Sequence, residues 1–126
     1  MVLVDTSVWV RFLANRTPYV QGLDRLLAFD EVAGHELVYG ELLIGDRGGR
    51  TKLLTEYRRL YQARIVPHQD VVAFVREREL HGRGVGWVDV HLLAAALVGG
   101  LKLWTADPRF GEMAEALGVV YQAIGL

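Results

Sequence analysis

Two aspartates stand where an apolar run of β type stops, near opposite ends of the chain. Asp5 follows the run at 1–4, and Asp107 follows the run at 101–104 after two small residues. In an open parallel sheet the carboxyl ends of the strands lie along one edge, where ligands bind. A single acid at a strand end can be simple turn chemistry, but the repeated pattern predicts that both acids belong to one shared site.

Two further acids, Glu41 and Asp89, are candidates for the same site. Glu41 lies within an apolar helical segment, and Asp89 lies in the first turn of another. Each of the four acids has an ordinary structural alternative: a turn for Asp5, a solvent-facing position for Glu41, a favourable charge at a helix N-terminus for Asp89, worth about 0.3–1 kcal/mol, and a helix cap for Asp107. Four acids at the edges of apolar elements are nevertheless a more specific signal than any one of them.

If the four carboxylates converge, their charges repel one another. Two carboxylates about 4 Å apart cost about 4 kcal/mol at an effective dielectric constant of 20, so bound cations or raised pKa values must relieve the repulsion. Because the candidate ligands are all oxygens and the chain has no cysteine, a hard cation is favoured, magnesium or manganese. Such a site suits the hydrolysis of a phosphodiester. The sequence leaves open whether one ion or two would bind.

Three hydroxyl residues stand beside these acids, Thr6, Ser7 and Thr105. They can hydrogen-bond carboxylates or phosphate and hold the ligands in place, although Thr6 and Ser7 are also good helix caps. The four histidines show no metal-ligand spacing, which favours a surface or core role for them. His91 is the exception of interest, because it lies two residues after Asp89.

Predicted strands and helices alternate along the chain. Apolar runs of β type occur at 1–4, 31–33, 63–66, 101–104 and 119–121, and helical spacing of apolar residues follows at 6–13, 17–29, 35–44, 51–60, 70–80, 90–98 and from 108. Parallel neighbours need crossover connections, and short all-apolar strands suit a sheet that is covered on both faces. We therefore predict an α/β fold with a central parallel sheet of about five strands.

The bulk composition fits one compact soluble domain over 1–126. Apolar residues make up 52% of the chain and charged residues 23%, which is ordinary for a packed protein and wrong for a disordered one. The longest apolar stretch, 92–101, is far shorter than the ~20 residues that span a bilayer, so no membrane segment is expected. The lack of cysteine is consistent with a reducing cytoplasm.

Charge is unevenly distributed although the net charge is only −1. The segment 47–64 carries a single acid, Glu56, and the following basic residues: Arg47, Arg50, Lys52, Arg58, Arg59 and Arg64. A charge run of this kind is often only a solvated helix face. Its alternative is a track that contacts RNA phosphates.

Three local motifs carry a resemblance to a known family. They are Val-Asp-Thr-Ser-Val-Trp at 4–9, Gly-Glu-Leu-Leu-Ile-Gly at 40–45 and Leu-Trp-Thr-Ala-Asp-Pro-Arg-Phe at 103–110. With these motifs in this order and spacing, the sequence resembles the PIN-domain ribonucleases of the VapC type, the toxins of type II toxin–antitoxin systems. The acidic quartet of that family then falls on Asp5, Glu41, Asp89 and Asp107. Val90 and His91 depart from the small or apolar residues that usually follow the third acid.

The resemblance implies a fold and an activity. The fold is a three-layer α/β/α PIN-like domain, and the activity is metal-dependent endonucleolytic cleavage of RNA, with dimerisation and inhibition by a small cognate antitoxin. Asp5, Asp89 and Asp107 would hold Mg²⁺ or Mn²⁺, and Glu41 would position or deprotonate the attacking water. Neither the RNA that is cut nor the identity of the antitoxin can be read from one chain.

Two other classes of protein compete with this interpretation. A phosphoacceptor receiver domain shares the length and the α/β order, but it needs an acidic pair after the first strand. Here Thr6 and Ser7 follow Asp5, and the third predicted strand ends without an aspartate. A catalytically silent RNA-binding module is the second competitor. It would keep the fold and the basic segment, and divalent-ion-dependent cleavage of RNA distinguishes it from the enzyme.

Overall fold

A computed structural model describes residues 1–123 and resolves four strands and seven helices among them. The strands are β1 (Val2–Val4), β2 (Val32–Gly34), β3 (Tyr61–Gln62) and β4 (Lys102–Trp104). The helices are α1 (Thr6–Leu13), α2 (Tyr19–Ala28), α3 (Glu36–Ile44), α4 (Thr51–Tyr57), α5 (His68–Glu77), α6 (Trp87–Gly99) and α7 (Pro108–Ala116). The predicted alternation of strands with helices is confirmed.

The strands form one parallel sheet in the order β3-β2-β1-β4. β1 is central and wholly buried, with Leu3 paired to Ala33 on one side and to Leu103 on the other. Its all-apolar sequence follows from that position, because both faces of a central parallel strand are covered. The backbone N–H of Asp5 donates to the carbonyl of Trp104 at 2.9 Å, so the carboxyl ends of β1 and β4 lie side by side.

Within residues 1–123 the sheet has four strands, and the prediction of about five is wrong. The predicted strand at 119–121 is a single parallel bridge between Val120 and Leu103. The third predicted strand, at 63–66, is also misplaced, since β3 covers Tyr61–Gln62. β2 ends at Gly34, whose carbonyl accepts from the Ala63 N–H at 2.7 Å, and the chain then enters α3. Residues 64–66 consequently have no strand beside them to extend the ladder.

Helices cover both faces of the sheet and complete a three-layer α/β/α fold. α1 packs against α2 and α3, α3 packs against α4, and α5 packs against α6. Trp9 and Tyr57 join the first group through an edge-to-face contact with ring centroids 5.4 Å apart. Both side chains are about 1% exposed, so these two aromatics bury a large apolar area between the helices and the sheet.

Helix α6 is buried along most of its length, which explains its apolar sequence. Every residue at 90–96 is buried, and the helix ends at Gly100, which takes the left-handed conformation (φ 65°) that favours glycine. This anchoring fixes the position of the first turn, where Asp89 lies. Within residues 1–123, none of the helices is both long and apolar enough to cross a bilayer.

Candidate active site

Asp5 is a buried carboxylate at the carboxyl end of the central strand. It is 5% exposed, and its Oδ2 accepts hydrogen bonds from Ser7 Oγ at 2.7 Å and from Thr105 Oγ1 at 2.8 Å. The same hydroxyl oxygens accept backbone N–H groups, Ser7 from Ala106 and Thr105 from Asp107, each at 3.0 Å. Asp5 is thus held in one orientation by the turn that follows its own strand and by the turn that follows β4.

The hydroxyls of Thr6 and Ser7 hold carboxylates rather than cap a helix. Asp5 is the N-cap residue of α1, and no side-chain hydrogen bond caps that helix. Thr6 Oγ1 donates to Glu41 Oε1, and Ser7 Oγ donates to Asp5. A single turn therefore orients two acids that lie 36 positions apart in the sequence, because Glu41 is carried on α3, which packs against α1.

Asp89 lies in the first turn of α6, and Asp107 directly precedes the first turn of α7. Asp89 Oδ2 accepts the backbone N–H of Gly86 at 2.9 Å, and Asp107 Oδ1 accepts the backbone N–H of Arg109 at 3.0 Å. Asp107 is the N-cap residue of α7, so its ordinary structural alternative is real. The cap uses only Oδ1 of Asp107, and Oδ2 takes no part in it.

Three of the predicted acids lie close enough to the fourth, Asp89, to affect its pKa. Burial raises the pKa of Asp89, and the hydrogen bond from Gly86 opposes that rise by stabilising the carboxylate. The negative charges of Asp5, Glu41 and Asp107 raise the pKa of Asp89 further. The structure therefore brings the four predicted acids into one shared field at the carboxyl edge of the sheet.

The donor set fits a hard divalent cation, although the acids are not gathered to coordination distance. Among residues 1–123, no group of three histidine, cysteine or acidic side chains forms a ready-made metal site. The hydrogen bonds within this part of the chain all fall on one oxygen of each acid, as described above. The second oxygen of each carboxylate accepts none of these hydrogen bonds, and carboxylate oxygens are the ligands that Mg²⁺ and Mn²⁺ prefer.

An aromatic row beside Asp89 is part of the site region that the sequence did not predict. Trp87 lies between His68 and His91, with ring centroids 5.2 Å and 5.1 Å from theirs. Trp87 is 44% exposed, whereas His91 is buried. The sequence position of His91, two residues after Asp89, was the one signal that could have indicated these aromatic contacts. The third ring, His68, lies on α5 and is distant in sequence, so the complete row was not predictable.

Two of the six basic residues in the segment 47–64 contact α3 through their side chains. Arg50 donates to the carbonyl of Leu42 at 2.8 Å, and the Arg58 guanidinium lies 4.5 Å from the centroid of the Tyr39 ring. These two cations stabilise the C-terminal half of α3 and its contact with α4. The other four basic residues are exposed, as expected both for a solvated face and for a phosphate-contacting track.

On the role that the family resemblance implies for Glu41, we expect Thr6→Val to slow the chemical step by roughly 10-fold, because a general base must be held in position and a positioned base contributes about 10²- to 10⁴-fold. The valine keeps the shape of the side chain but removes the hydrogen bond to Glu41. The measurement is single-turnover cleavage of RNA with added Mg²⁺, compared with Thr55→Val, whose exposed hydroxyl donates to the carbonyl of Thr51 in the same helix. Equal rates for both variants would show that Thr6 does not position Glu41.

Comparison with known proteins places the chain among nucleases. The family model for the PIN domain matches residues 2–116. Ribonuclease VapC32 of Mycobacterium tuberculosis is 42% identical over 120 residues, which cover 94% of each chain. Among solved structures, FitAcB from Neisseria gonorrhoeae has a TM-score of 0.65 at 23% identity, covering 100% of both chains. PAE2754 from Pyrobaculum aerophilum has a TM-score of 0.57 at 18% identity, covering 92% of this chain and 90% of that one.

Proposed function

This chain belongs to the VapC-type ribonucleases of the PIN domain family, and on that premise we propose that it is a metal-dependent endoribonuclease, the toxin of a toxin–antitoxin pair. The name of its relative, a ribonuclease, supports the substrate class. The observation that carries the proposal is the shared field of Asp5, Glu41, Asp89 and Asp107 at one sheet edge. We propose a single PIN domain over 1–126.

In this proposal the four acids have two different roles, metal binding and handling of the attacking water. Asp5, Asp89 and Asp107 would hold Mg²⁺ or Mn²⁺ through the oxygens that accept none of the hydrogen bonds described above. When bound, such an ion offsets the charge of a phosphodiester and lowers the pKa of water. Glu41 orients the attacking water or accepts its proton, and Thr6 keeps Glu41 in place by holding Oε1.

The decisive experiment is RNA cleavage by the purified protein with and without divalent ion. We expect cuts within the RNA in Mg²⁺ or Mn²⁺, and we expect EDTA to stop them. Calorimetric titration with Mg²⁺ in the absence of RNA tests the metal site independently of activity. Metal binding without cleavage would support the silent RNA-binding module, and failure of both measurements would contradict the proposal.

The proposed partners follow from the same family. They are an RNA substrate, a small cognate antitoxin protein and a second copy of the chain in a homodimer, and the proposed location is the cytoplasm. Support for an interface comes from exposed apolar side chains at the end of α3, where Ile44 is 88% exposed and Leu43 is 52% exposed. Exposed apolar residues mark an interaction surface where they form a contiguous patch.

A further inference from the structure

Trp87 is an exposed aromatic side chain next to the candidate active site. The other two tryptophans are core residues, since Trp9 is 1% exposed and Trp104 is 4% exposed, whereas Trp87 is 44% exposed. Trp87 is the first residue of α6 and stands two positions before Asp89. A large apolar face therefore meets solvent within one helical turn of a proposed metal ligand.

The neighbours of Trp87 hold its ring in a defined orientation. His91 presents its ring at 84° to the indole, and His68 lies against it with an interplanar angle of 57°. Both contacts restrict rotation of the indole before any ligand arrives. A pre-ordered side chain loses little conformational entropy on binding, which favours affinity.

A small cavity adjoins the indole. Its volume is about 180 Å³, and its walls include Leu80, His81, Val85, Gly86 and Trp87. Pockets for drug-sized ligands are typically about 300–1,000 Å³, so this one suits a single planar ring system. Gly86 links the cavity to the acids, because its backbone N–H donates to Asp89 Oδ2 at 2.9 Å.

The side chain of an arginine on α7 lies against the loop that forms one wall of the cavity. The side chain of Arg109 covers Gly84 so closely that a Cβ atom at Gly84 would lie 2.5 Å from Nη1. Arg109 is exposed and follows Asp107 by two positions. The loop also carries Arg83, which is exposed. Positive charge thus lies beside the loop that lines the cavity.

We propose that one nucleotide of the substrate binds at this place, with its base stacked on Trp87 in the cavity and its phosphate at Arg109. The inference rests on the proposed function for the substrate class, RNA. An ordered aromatic face beside cationic side chains is the usual means of binding single-stranded RNA. This arrangement favours a nucleotide over an apolar protein segment, because an apolar segment carries no negative charge to pair with the two arginines.

Tryptophan fluorescence tests this subsite without requiring cleavage. A short single-stranded RNA is titrated into the protein in EDTA, and we expect quenching that disappears in Trp87→Phe, where only the two core tryptophans emit. Trp87→Ala should weaken RNA binding by roughly 5- to 150-fold, since a stacked base contributes about 1–3 kcal/mol. Phe29→Ala is the control, because Phe29 is 70% exposed and lies just before β2, at the opposite edge of the sheet.

The outcomes separate this inference from the proposed function. Quenching with no cleavage in Mg²⁺ would retain the subsite and reject the nuclease. Cleavage in Mg²⁺ with unchanged RNA affinity in Trp87→Ala would reject the subsite and retain the nuclease. If Trp87→Ala loses binding to a purified antitoxin while its RNA affinity is intact, the subsite is also rejected, because Trp87 then belongs to a protein interface.

Two glycine substitutions test the role of Arg109. Gly82 and Gly84 both have a positive φ, 70° and 81°, but a Cβ at Gly82 meets no atom within 4 Å. Alanine strains the backbone at either position, and only Gly84→Ala also displaces Arg109. We expect Gly84→Ala to weaken RNA binding several-fold more than Gly82→Ala, and we expect this difference to disappear when each substitution is made in Arg109→Ala. Equal losses in the two glycine variants would remove Arg109 from the subsite.

Discussion

Asp5→Asn is expected to abolish RNA cleavage, with a loss of roughly 100-fold or more. That loss exceeds the effect of Thr6→Val because the substitution removes an anionic oxygen of a proposed metal ligand, whereas loss of a supporting residue costs about 10- to 100-fold. Asparagine has nearly the same shape, and its side-chain oxygen can still accept from Ser7 and Thr105. The fold should therefore remain, and removal of one negative charge from the shared field should leave stability without metal equal or slightly higher.

Three measurements check the Asp5→Asn prediction: cleavage rate in Mg²⁺, the heat of Mg²⁺ binding, and urea unfolding in EDTA. The matched control is Asp24→Asn, because Asp24 is an exposed acid on α2 that lies outside the proposed site. We expect the control to cleave RNA like the original protein. Cleavage at the original rate by Asp5→Asn would remove Asp5 from the catalytic machinery.

The sequence predicted the element order because apolar runs and helical spacing are local signals. It failed for β3, since the pattern at 63–66 is that of an extended segment whose burial alternates irregularly, with Ala63 and Val66 buried and Arg64 and Ile65 exposed. Whether such a segment joins a ladder depends on how far the neighbouring strand runs, and β2 stops at Gly34. That information lies almost 30 residues earlier in the chain.

The candidate site shows the same division between local and long-range information. The position of Asp5 and Asp107 at the ends of adjacent strands was predictable, because strand ends are visible in the sequence and parallel strands share an edge. The bond from Thr6 to Glu41 was not, because it depends on how α1 packs against α3. Local propensity favoured a capping role for Thr6, and a tertiary contact decided otherwise.

Acidification should destabilise the protein through His35, a side chain that the sequence did not distinguish from the other histidines. His35 is 0% exposed, and its Nδ1 accepts the backbone N–H of Leu37 at 3.0 Å, which caps α3. Burial, with a smaller contribution from charge repulsion by His91, lowers the pKa of His35 from 6.5 to about 4. Protonation would place a charge in the core and break the cap, so the folded state keeps the ring neutral.

The sign of the pH effect follows from the two pKa values. Above pH 6.5 His35 is neutral in both the folded and the unfolded state and does not change the free energy of unfolding. As pH falls from 6.5 to about 4, His35 binds a proton in the unfolded chain but stays neutral in the folded chain. The free energy of unfolding should therefore fall by about 3 kcal/mol from this residue alone. Urea unfolding between pH 7 and pH 4 measures the loss, and His35→Asn should flatten it, because asparagine also caps helices but does not titrate. His81→Asn, at an exposed histidine, should keep the full pH dependence, and an equally steep loss in His35→Asn would assign the acid sensitivity to other groups.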